Sequence, residues 1–292
     1  MKIGWIGTGV MGASMAGHVQ AAGHQVYVYN RSRGKAAGLI EKGAAWCESP
    51  AEVASVSDAV FSIVGFPADV EEVYFGPGGV FSSSNGCRTV VDMTTTRPSL
   101  AIRIAEAARE RGIEALDAPV SGGDIGARDG TLVIMVGGVR ETMERLMPVF
   151  ECMGSRITFM GGPGAGQHTK MCNQILVSGT MISVCESLLY AARVGLDQQA
   201  VIDVVGKGAA GSWSINNLGP RIVKGDFSSG FFIEHFIKDM GIALDEAEAM
   251  GLSLPGLALV KQLYVAVKAQ GHGRSATQAL YLALKAMSGK IN

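Results

Sequence analysis

Apolar residues in the first half of the chain fall in short runs separated by longer amphipathic stretches. Residues 2–6, 25–29, 59–64, 89–92, 114–118, 132–136 and 156–159 are compact, β-branched-rich runs that predict strands. Stretches 10–22, 33–42, 97–110 and 140–150 carry helical spacing and lie between them. Alternation of this kind predicts βαβ units and an α/β fold built on a doubly wound, mostly parallel sheet. Beyond residue 164 the strand signals stop. Helical patterns cover 165–194, 198–205, 237–249, 255–269 and 275–287, so the second half reads as all-helical. The breaker cluster Gly161-Gly162-Pro163-Gly164 predicts a boundary between residues 1–163 and 164–292. The helix that opens the second part would extend about 45 Å at 1.5 Å per residue. It is apolar around most of its circumference, so cover on several sides is expected.

The chain has 292 residues, 48% hydrophobic and 17% charged, which excludes a disordered or collagen-like polymer. Twenty-five basic residues nearly cancel twenty-six acidic ones. That balance gives no electrostatic footprint for nucleic acid and no basic run for a membrane surface. So few charges over so much apolar surface favour a homo-oligomer. The five cysteines form no CxxC pair and no Cys/His metal spacing, so no metal site is expected, and they read as buried thiols in a reducing cytoplasm. After Met1-Lys2 the chain enters a glycine-punctuated strand pattern without an apolar leader segment, which also favours the cytoplasm. Residues 175–196 are apolar enough to suggest a membrane span, but Glu186, Arg193 and several serines interrupt them, and a buried helix is preferred.

Directly after the first predicted strand comes Gly7-Thr8-Gly9-Val10-Met11-Gly12, with GxGxxG spacing. Gly7 permits the tight turn, Gly9 lets a pyrophosphate approach the backbone, and Gly12 lets helix and strand pack closely. The helix start offers free N–H groups and a positive dipole end to phosphate. In its strand–turn–helix setting the motif predicts a Rossmann-type dinucleotide-binding domain. An acidic residue ending the second strand would select NAD through its ribose hydroxyls. Asn30-Arg31-Ser32-Arg33 stands there instead. A guanidinium and a hydroxyl suit a 2′-phosphate, which favours NADP(H) over NAD(H). For Arg33 the plainer reading, a solvated loop charge, stays open. Val64 and Thr95 follow later strands, at the carboxyl ends where ligands sit in such sheets. Val64 is assigned to the adenosine and ribose side, Thr95 to the nicotinamide side, while Thr96 reads equally as a helix cap.

Ser121-Gly122-Gly123 also leaves a strand, and could form a concave nest of hydroxyl and N–H donors for a small carboxylate, or an ordinary turn. Lys170 and Asn173 lie one turn apart on one face of an otherwise apolar helix, where both need partners. Lys170 reads as a catalytic acid/base, against a lysine whose stem merely covers apolar surface. Lys238-Asp239, on another helix, is either a functional pair or an exposed charge pair.

Taken together, residues 3–12, 117–123, 164–173 and Lys238-Asp239 resemble the β-hydroxyacid dehydrogenases, the group holding 3-hydroxyisobutyrate dehydrogenase, tartronate semialdehyde reductase and glyoxylate/succinic semialdehyde reductases. The resemblance spans nearly the whole chain. It implies hydride transfer between a nicotinamide cofactor and a small β-hydroxyacid or semialdehyde. It further implies Lys170 as proton donor to the substrate oxygen and Asn173 as a holder of the reacting group. Ser121, Gly122 and Gly123 would bind the substrate carboxylate, with Thr95 and Lys238 beside the cofactor. The long helix would be shared in a homodimer or homotetramer. In the oxidative direction the lysine must accept a proton, so desolvation is expected to lower its pKa. The weighed alternatives are an imine reductase on the same scaffold, whose relatives usually lack this lysine, and a non-catalytic dinucleotide-binding protein, whose relatives lose it. Substrate order is set as 3-hydroxyisobutyrate/methylmalonate semialdehyde, then succinic semialdehyde or glyoxylate, then tartronate semialdehyde. Trp213, Phe231 and Phe232 read equally as substrate-pocket or core residues, with Trp213 the best pocket candidate, and the role of Asp239 stays open between the two readings of its pair.

Overall fold

In a computed structural model, which describes residues 1–83, 86–228 and 230–289, the chain forms two compact units, Met1–Lys170 and Met171–Asn292. The first is an α/β unit. Its strands are β1 (Lys2–Ile6), β2 (Gln25–Tyr29), β3 (Ala45–Trp46), β4 (Ala59–Ser62), β5 (Thr89–Asp92), β6 (Glu114–Asp117), β7 (Val120–Ser121), β8 (Leu132–Gly138) and β9 (Gly154–Gly161). Helices α1 (Val10–Ala21), α2 (Ala37–Ile40), α3 (Pro50–Val56), α4 (Pro67–Phe75), α5 (Pro98–Arg109), α6 (Gly123–Asp129) and α7 (Arg140–Phe150) connect them.

Strand order is β3-β2-β1-β4-β5-β6-β8-β7, with β9 on β8, and every pair from β3 to β6 is parallel. This is the doubly wound dinucleotide-fold order. Beyond β6 the sheet turns mixed: β8 runs antiparallel to β6 and β7, while β9 runs parallel to β8. The sequence pattern does not mark this, because β7 has only two residues and α6 between it and β8 only seven. The central strands bury both faces, as parallel strands covered by helices must. Ile3, Trp5, Phe61 and Val91 pack into one core, and Ile6, Val60, Val90 and Tyr74 into another. Trp5 stacks on Phe61 at 5.8 Å, and Phe150 meets Phe61 edge-to-face at 5.8 Å. Helices α3 and α4 begin with proline at their first turn, and Ser49 caps α3 by accepting from the Glu52 N–H.

Helix α8 (Ala165–Arg193) is continuous, and the division between the units falls within it. The second unit continues with α9 (Gln198–Val205), α10 (Trp213–Asn217), α11 (Gly219–Val223), α12 (Ile233–Ala249), α13 (Pro255–Val267) and α14 (Leu280–Met287). Its only strand-like feature among the described residues is the single bridge Phe232–Ala276. The core gathers Met181, Cys185, Leu188, Phe236, Met240 and Tyr264, with the Phe236 and Tyr264 rings edge-on at 5.1 Å.

Among the described residues α8 is the one helix long and apolar enough to cross a membrane by length and composition. The chain covers it on all but one side. Gln174, Ser178, Met181, Cys185 and Leu188 are buried, whereas Cys172, Leu176, Gly179, Ser183, Glu186, Tyr190 and Arg193 are exposed. The exposed positions step alternately by four and three residues, so they form one continuous stripe. Cys172 therefore departs from the expected burial of the cysteines, and Cys152 is only half-buried.

Candidate functional site

Sheet register aligns the carboxyl ends of five parallel strands. Tyr29, Ile6, Ser62, Asp92 and Asp117 form one row of partners, so the loops that follow them all leave the same edge. The glycine loop is the first. Gly7 sits at φ +97°, and a Cβ there would lie 2.1 Å from the Ile63 carbonyl oxygen. A Cβ on Gly12 would lie 2.1 Å from the Gly7 oxygen. Those two glycines are demanded by the protein's own backbone. Gly9 is different: its φ is −70°, and a Cβ there meets no protein atom within 4 Å. The space above it is open to a ligand. Thr8 Oγ1 is buried and makes no hydrogen bond within the described chain, while Val10 is exposed and Met11 half-buried at the start of α1. An open approach at Gly9, an orphaned hydroxyl and a helix N-terminus together fit a dinucleotide's phosphates.

Asn30 fastens this loop. Its Oδ1 accepts from the Thr8 N–H at 3.0 Å and its Nδ2 donates to the Ser32 carbonyl at 2.9 Å. Arg31 projects into solvent, with Asp69 Oδ1 3.4 Å from its guanidinium. Ser32 is exposed, and its side chain makes no capping bond to the turn it precedes. Arg33 lies over the Trp46 ring at 5.2 Å, so it is a stacked cation as well as a solvated one.

Thr95 sits in a closely fastened segment. The Val64 N–H donates to Thr94 Oγ1 at 3.0 Å, and the Thr94 N–H donates to Asp92 Oδ1 at 3.1 Å. Ser62 Oγ donates to the same Asp92 oxygen at 2.9 Å. Burial pushes the Asp92 carboxyl up to about 6, against those hydrogen bonds and with help from the Asp117 charge. Thr96 does not cap α5. Arg97 holds the cap position, while Thr96 donates its N–H to Gln167 Oε1 at 3.0 Å.

Asp117 caps the start of α8. Its two oxygens accept from the Gly164 and Gln167 N–H groups, both at 2.8 Å. Burial raises its pKa, with these hydrogen bonds opposing the rise. The approach works because glycine stands at 137 and 166, where a Cβ would lie within 3 Å of Asp117 oxygens. One turn further, Lys170 is 93% buried and its Nζ donates to the Val120 carbonyl at 2.8 Å. That carbonyl directly precedes Ser121, which ends β7. Gly122 follows at φ +130° and Gly123 at φ +65°, so the expected loop is a strand-to-helix junction that only glycines accommodate easily. The first unit thus brings Lys170, Ser121, Thr95 and the glycine loop to one edge of its sheet. Sequence reasoning missed Asp92 and Gln167 and gave Asp117 no role, because their partners lie up to 73 residues away along the chain. His168, inside the same motif, is exposed.

In the second unit Asp239 is buried and holds Lys238 by an ion pair of 3.0 Å. Its other oxygen accepts from Gln174 Nε2 at 2.6 Å, and Asn173 Nδ2 donates to Gln174 Oε1 at 2.7 Å. Lys238-Asp239 is therefore not an exposed charge pair, for its side chains are 12% and 1% accessible. Burial lowers the pKa of nearby His235, and Lys238 adds to the effect. Phe231 packs on Phe236, Phe232 lies under Arg274, and Trp213 is exposed. Among the described residues no cluster of three or more His, Cys, Asp or Glu could hold a metal ion.

Comparison with known proteins covers both units. Residues 2–162 match the family described as the NAD binding domain of 6-phosphogluconate dehydrogenase. Residues 164–284 match that described as the NAD-binding domain of NADP-dependent 3-hydroxyisobutyrate dehydrogenase. A probable 3-hydroxyisobutyrate dehydrogenase-like protein of Arabidopsis thaliana is 50% identical over 98% of this chain and 86% of its own. The 2-hydroxy-3-oxopropionate reductase of Escherichia coli is 40% identical over 99% of this chain and 98% of its own. A solved structure of Mycobacterium tuberculosis 3-hydroxyisobutyrate dehydrogenase with L-serine superposes with TM-score 0.88 at 29% identity, covering 97% and 99% of the two chains.

Proposed function

Since the chain belongs to the β-hydroxyacid dehydrogenase family and is an NAD(P)-dependent oxidoreductase, we propose that it interconverts a small carboxylate-bearing semialdehyde and its hydroxyacid, with Lys170 as general acid and base. One observation carries this: the Lys170 ammonium, 93% buried, is anchored on the Val120 carbonyl beside Ser121-Gly122-Gly123. A carboxylate held by Ser121 and the two glycines brings a substrate's carbonyl oxygen within reach of that ammonium. When bound, the nicotinamide supplies hydride to the carbonyl carbon and takes it back in oxidation. Lys170 stabilises the negative charge that develops on oxygen, then protonates it. Asn173 and Lys238 are assigned to the reacting group and the cofactor side, and their shared network through Gln174 and Asp239 supports fixed positions for both.

NADP(H) is the proposed cofactor, bound through Gly7, Thr8, Gly9, Val10, Met11 and Gly12, with Asn30, Arg31, Ser32, Val64 and Thr95 along its length. Support comes from the missing carboxylate after β2 and from the exposed Arg31 guanidinium. Methylmalonate semialdehyde heads the substrate order, in line with the names of the Arabidopsis and mycobacterial relatives; the Escherichia coli relative's name supports 2-hydroxy-3-oxopropionate as a rival. The exposed stripe of α8 supports a homodimer or homotetramer, and five free cysteines support a reducing, cytoplasmic setting. The test is a kinetic panel: NADPH or NADH with methylmalonate, succinic and tartronate semialdehydes and glyoxylate in one buffer, followed at the nicotinamide absorbance band. Turnover of at least one with NADPH, lowered about 10²–10⁴-fold in Lys170→Ala, is expected. A Lys170→Ala variant with wild-type turnover overturns the assignment.

A further inference from the structure

Gln167 is fully buried in the first turn of α8, and each of its polar groups has a partner. Its Nε2 donates to the Thr94 carbonyl at 2.7 Å, and its Oε1 accepts from the Thr96 N–H at 3.0 Å. The Thr94 carbonyl belongs to the peptide entering Thr95, and the Thr96 N–H to the peptide leaving it. One side chain therefore holds both peptide planes that bound Thr95. Chemistry forces the orientation of the amide, because only its oxygen can accept from an N–H and only its nitrogen can donate to a carbonyl. The backbone N–H of Gln167 is itself tied to Asp117 Oδ2 at 2.8 Å. Three residues on, and so on the neighbouring surface of the same helix, stands Lys170.

We propose that Gln167 is a positioning residue for the reaction, setting the Thr95 segment and the Lys170 turn at a fixed separation. The proposal rests on the reading of Lys170 as proton donor and goes beyond it by naming what holds that donor in register with the nicotinamide-side loop. No other side chain reproduces the pair of bonds. Methionine has the length without the polar groups, glutamate opposes a carboxylate to the Thr94 carbonyl, and asparagine is one methylene short. A displacement of about 1 Å between reacting groups can lower turnover about a hundredfold.

The experiment compares Gln167→Met and Gln167→Asn with wild type, each also in the Lys170→Ala background, using the full chain. Four quantities are read: exchange of the Thr96 amide hydrogen without ligand, NADPH affinity by fluorescence, kcat against KM, and the isotope effect with 4-deuterated NADPH. Expected for Gln167→Met are Thr96 exchange at least tenfold faster, NADPH affinity and KM within about threefold, and kcat lowered about ten- to a hundredfold. The isotope effect should rise as hydride transfer becomes rate-limiting. In the Lys170→Ala background the further loss of kcat should be under about threefold, because the two residues then act as one unit. Should Gln167→Met not fold, Gln167→Asn is expected to show the same pattern at smaller amplitude. Wild-type kcat in a folded Gln167 variant, or an equal loss in both backgrounds, overturns the proposal. A Lys170→Ala variant at wild-type turnover overturns the proton-donor reading instead, whatever Gln167 does.

Discussion

The ammonium of Lys170 donates a 2.8 Å hydrogen bond to the carbonyl oxygen of Val120, the residue immediately before Ser121. The proposed proton donor and the proposed carboxylate-binding turn are thus joined through one backbone group. Lys170→Met should lower kcat by about 10²–10⁴, the usual worth of a positioned acid, with NADPH affinity within about threefold. Arginine should not rescue it, since a guanidinium stays protonated and cannot act as base. In hydroxyacid oxidation the wild-type rate should rise on the alkaline side, as the lysine must be neutral to take a proton. A pH-independent oxidation rate, or near-normal turnover in Lys170→Met, would contradict the role.

Glycines 7 and 9 should respond oppositely to alanine. Gly9→Ala places its methyl where no protein atom lies within 4 Å, so the thermal midpoint should hardly move while NADPH affinity falls at least about tenfold. Gly7→Ala forces a Cβ 2.1 Å from the Ile63 oxygen at φ +97°. Its melting point should drop by several degrees, corresponding to about 1–3 kcal/mol of strain. Calorimetry with a fluorescence titration separates the two. Unaltered NADPH binding by Gly9→Ala would remove the loop from the cofactor site.

Arg31 is almost fully solvent-exposed and pairs with Asp69 at 3.4 Å, so its removal should leave stability within about 0.5 kcal/mol. Arg31→Ala should lower kcat/KM for NADPH at least about tenfold, the loss of one charge-assisted contact, and leave that for NADH nearly unchanged. Equal losses with both cofactors would assign Arg31 no part in choosing between them.

Asp92 makes stability depend on acid. Its carboxyl is raised from 3.8 to about 6, chiefly by burial. A raised carboxyl favours the folded state while protonated; that contribution is complete below about pH 4 and is lost as pH rises through about 6. The full displacement corresponds to about 3 kcal/mol. Asp92→Asn keeps an oxygen for Ser62 and Thr94 and removes the ionisation. Urea unfolding between pH 4 and 7 should show a smaller decline with pH for the variant than for wild type. Parallel pH profiles would exclude Asp92 as the source.

The exposed stripe on α8 carries Leu176 and Tyr190, each 71% accessible. If copies of the chain associate through it, Tyr190→Glu should reduce the mass measured by light scattering while leaving the circular dichroism unchanged. A wild-type monomer at micromolar concentration would dismiss the assembly outright.

Much of the architecture was legible because local signals agree with the global fold. Strands β1, β2 and β5 and helices α7 and α9 lie where apolar periodicity puts them, and the glycine loop stands in its strand–turn–helix setting. Short elements were not legible: β3 and β7 have two residues each, too few for any period to register. Thr95, Ser121 and Lys170 were singled out from motif chemistry. The groups that hold them were not, since Asp117 reaches Gly164 across 47 residues and Gln167 reaches Thr94 across 73. Both are ordinary polar residues in sequence and acquire meaning only through pairing in three dimensions.

The turn at Gly7 is tied on three sides by the protein's own groups. Its N–H donates to the Tyr29 carbonyl, its own carbonyl accepts from the Trp5 indole at 3.0 Å, and Asn30 holds the next peptide. The conformational entropy of ordering this segment is therefore lost when the protein folds, not when the dinucleotide arrives. Association should then proceed in a single kinetic phase whose rate grows linearly with dinucleotide concentration, without the plateau that a slow rearrangement would impose.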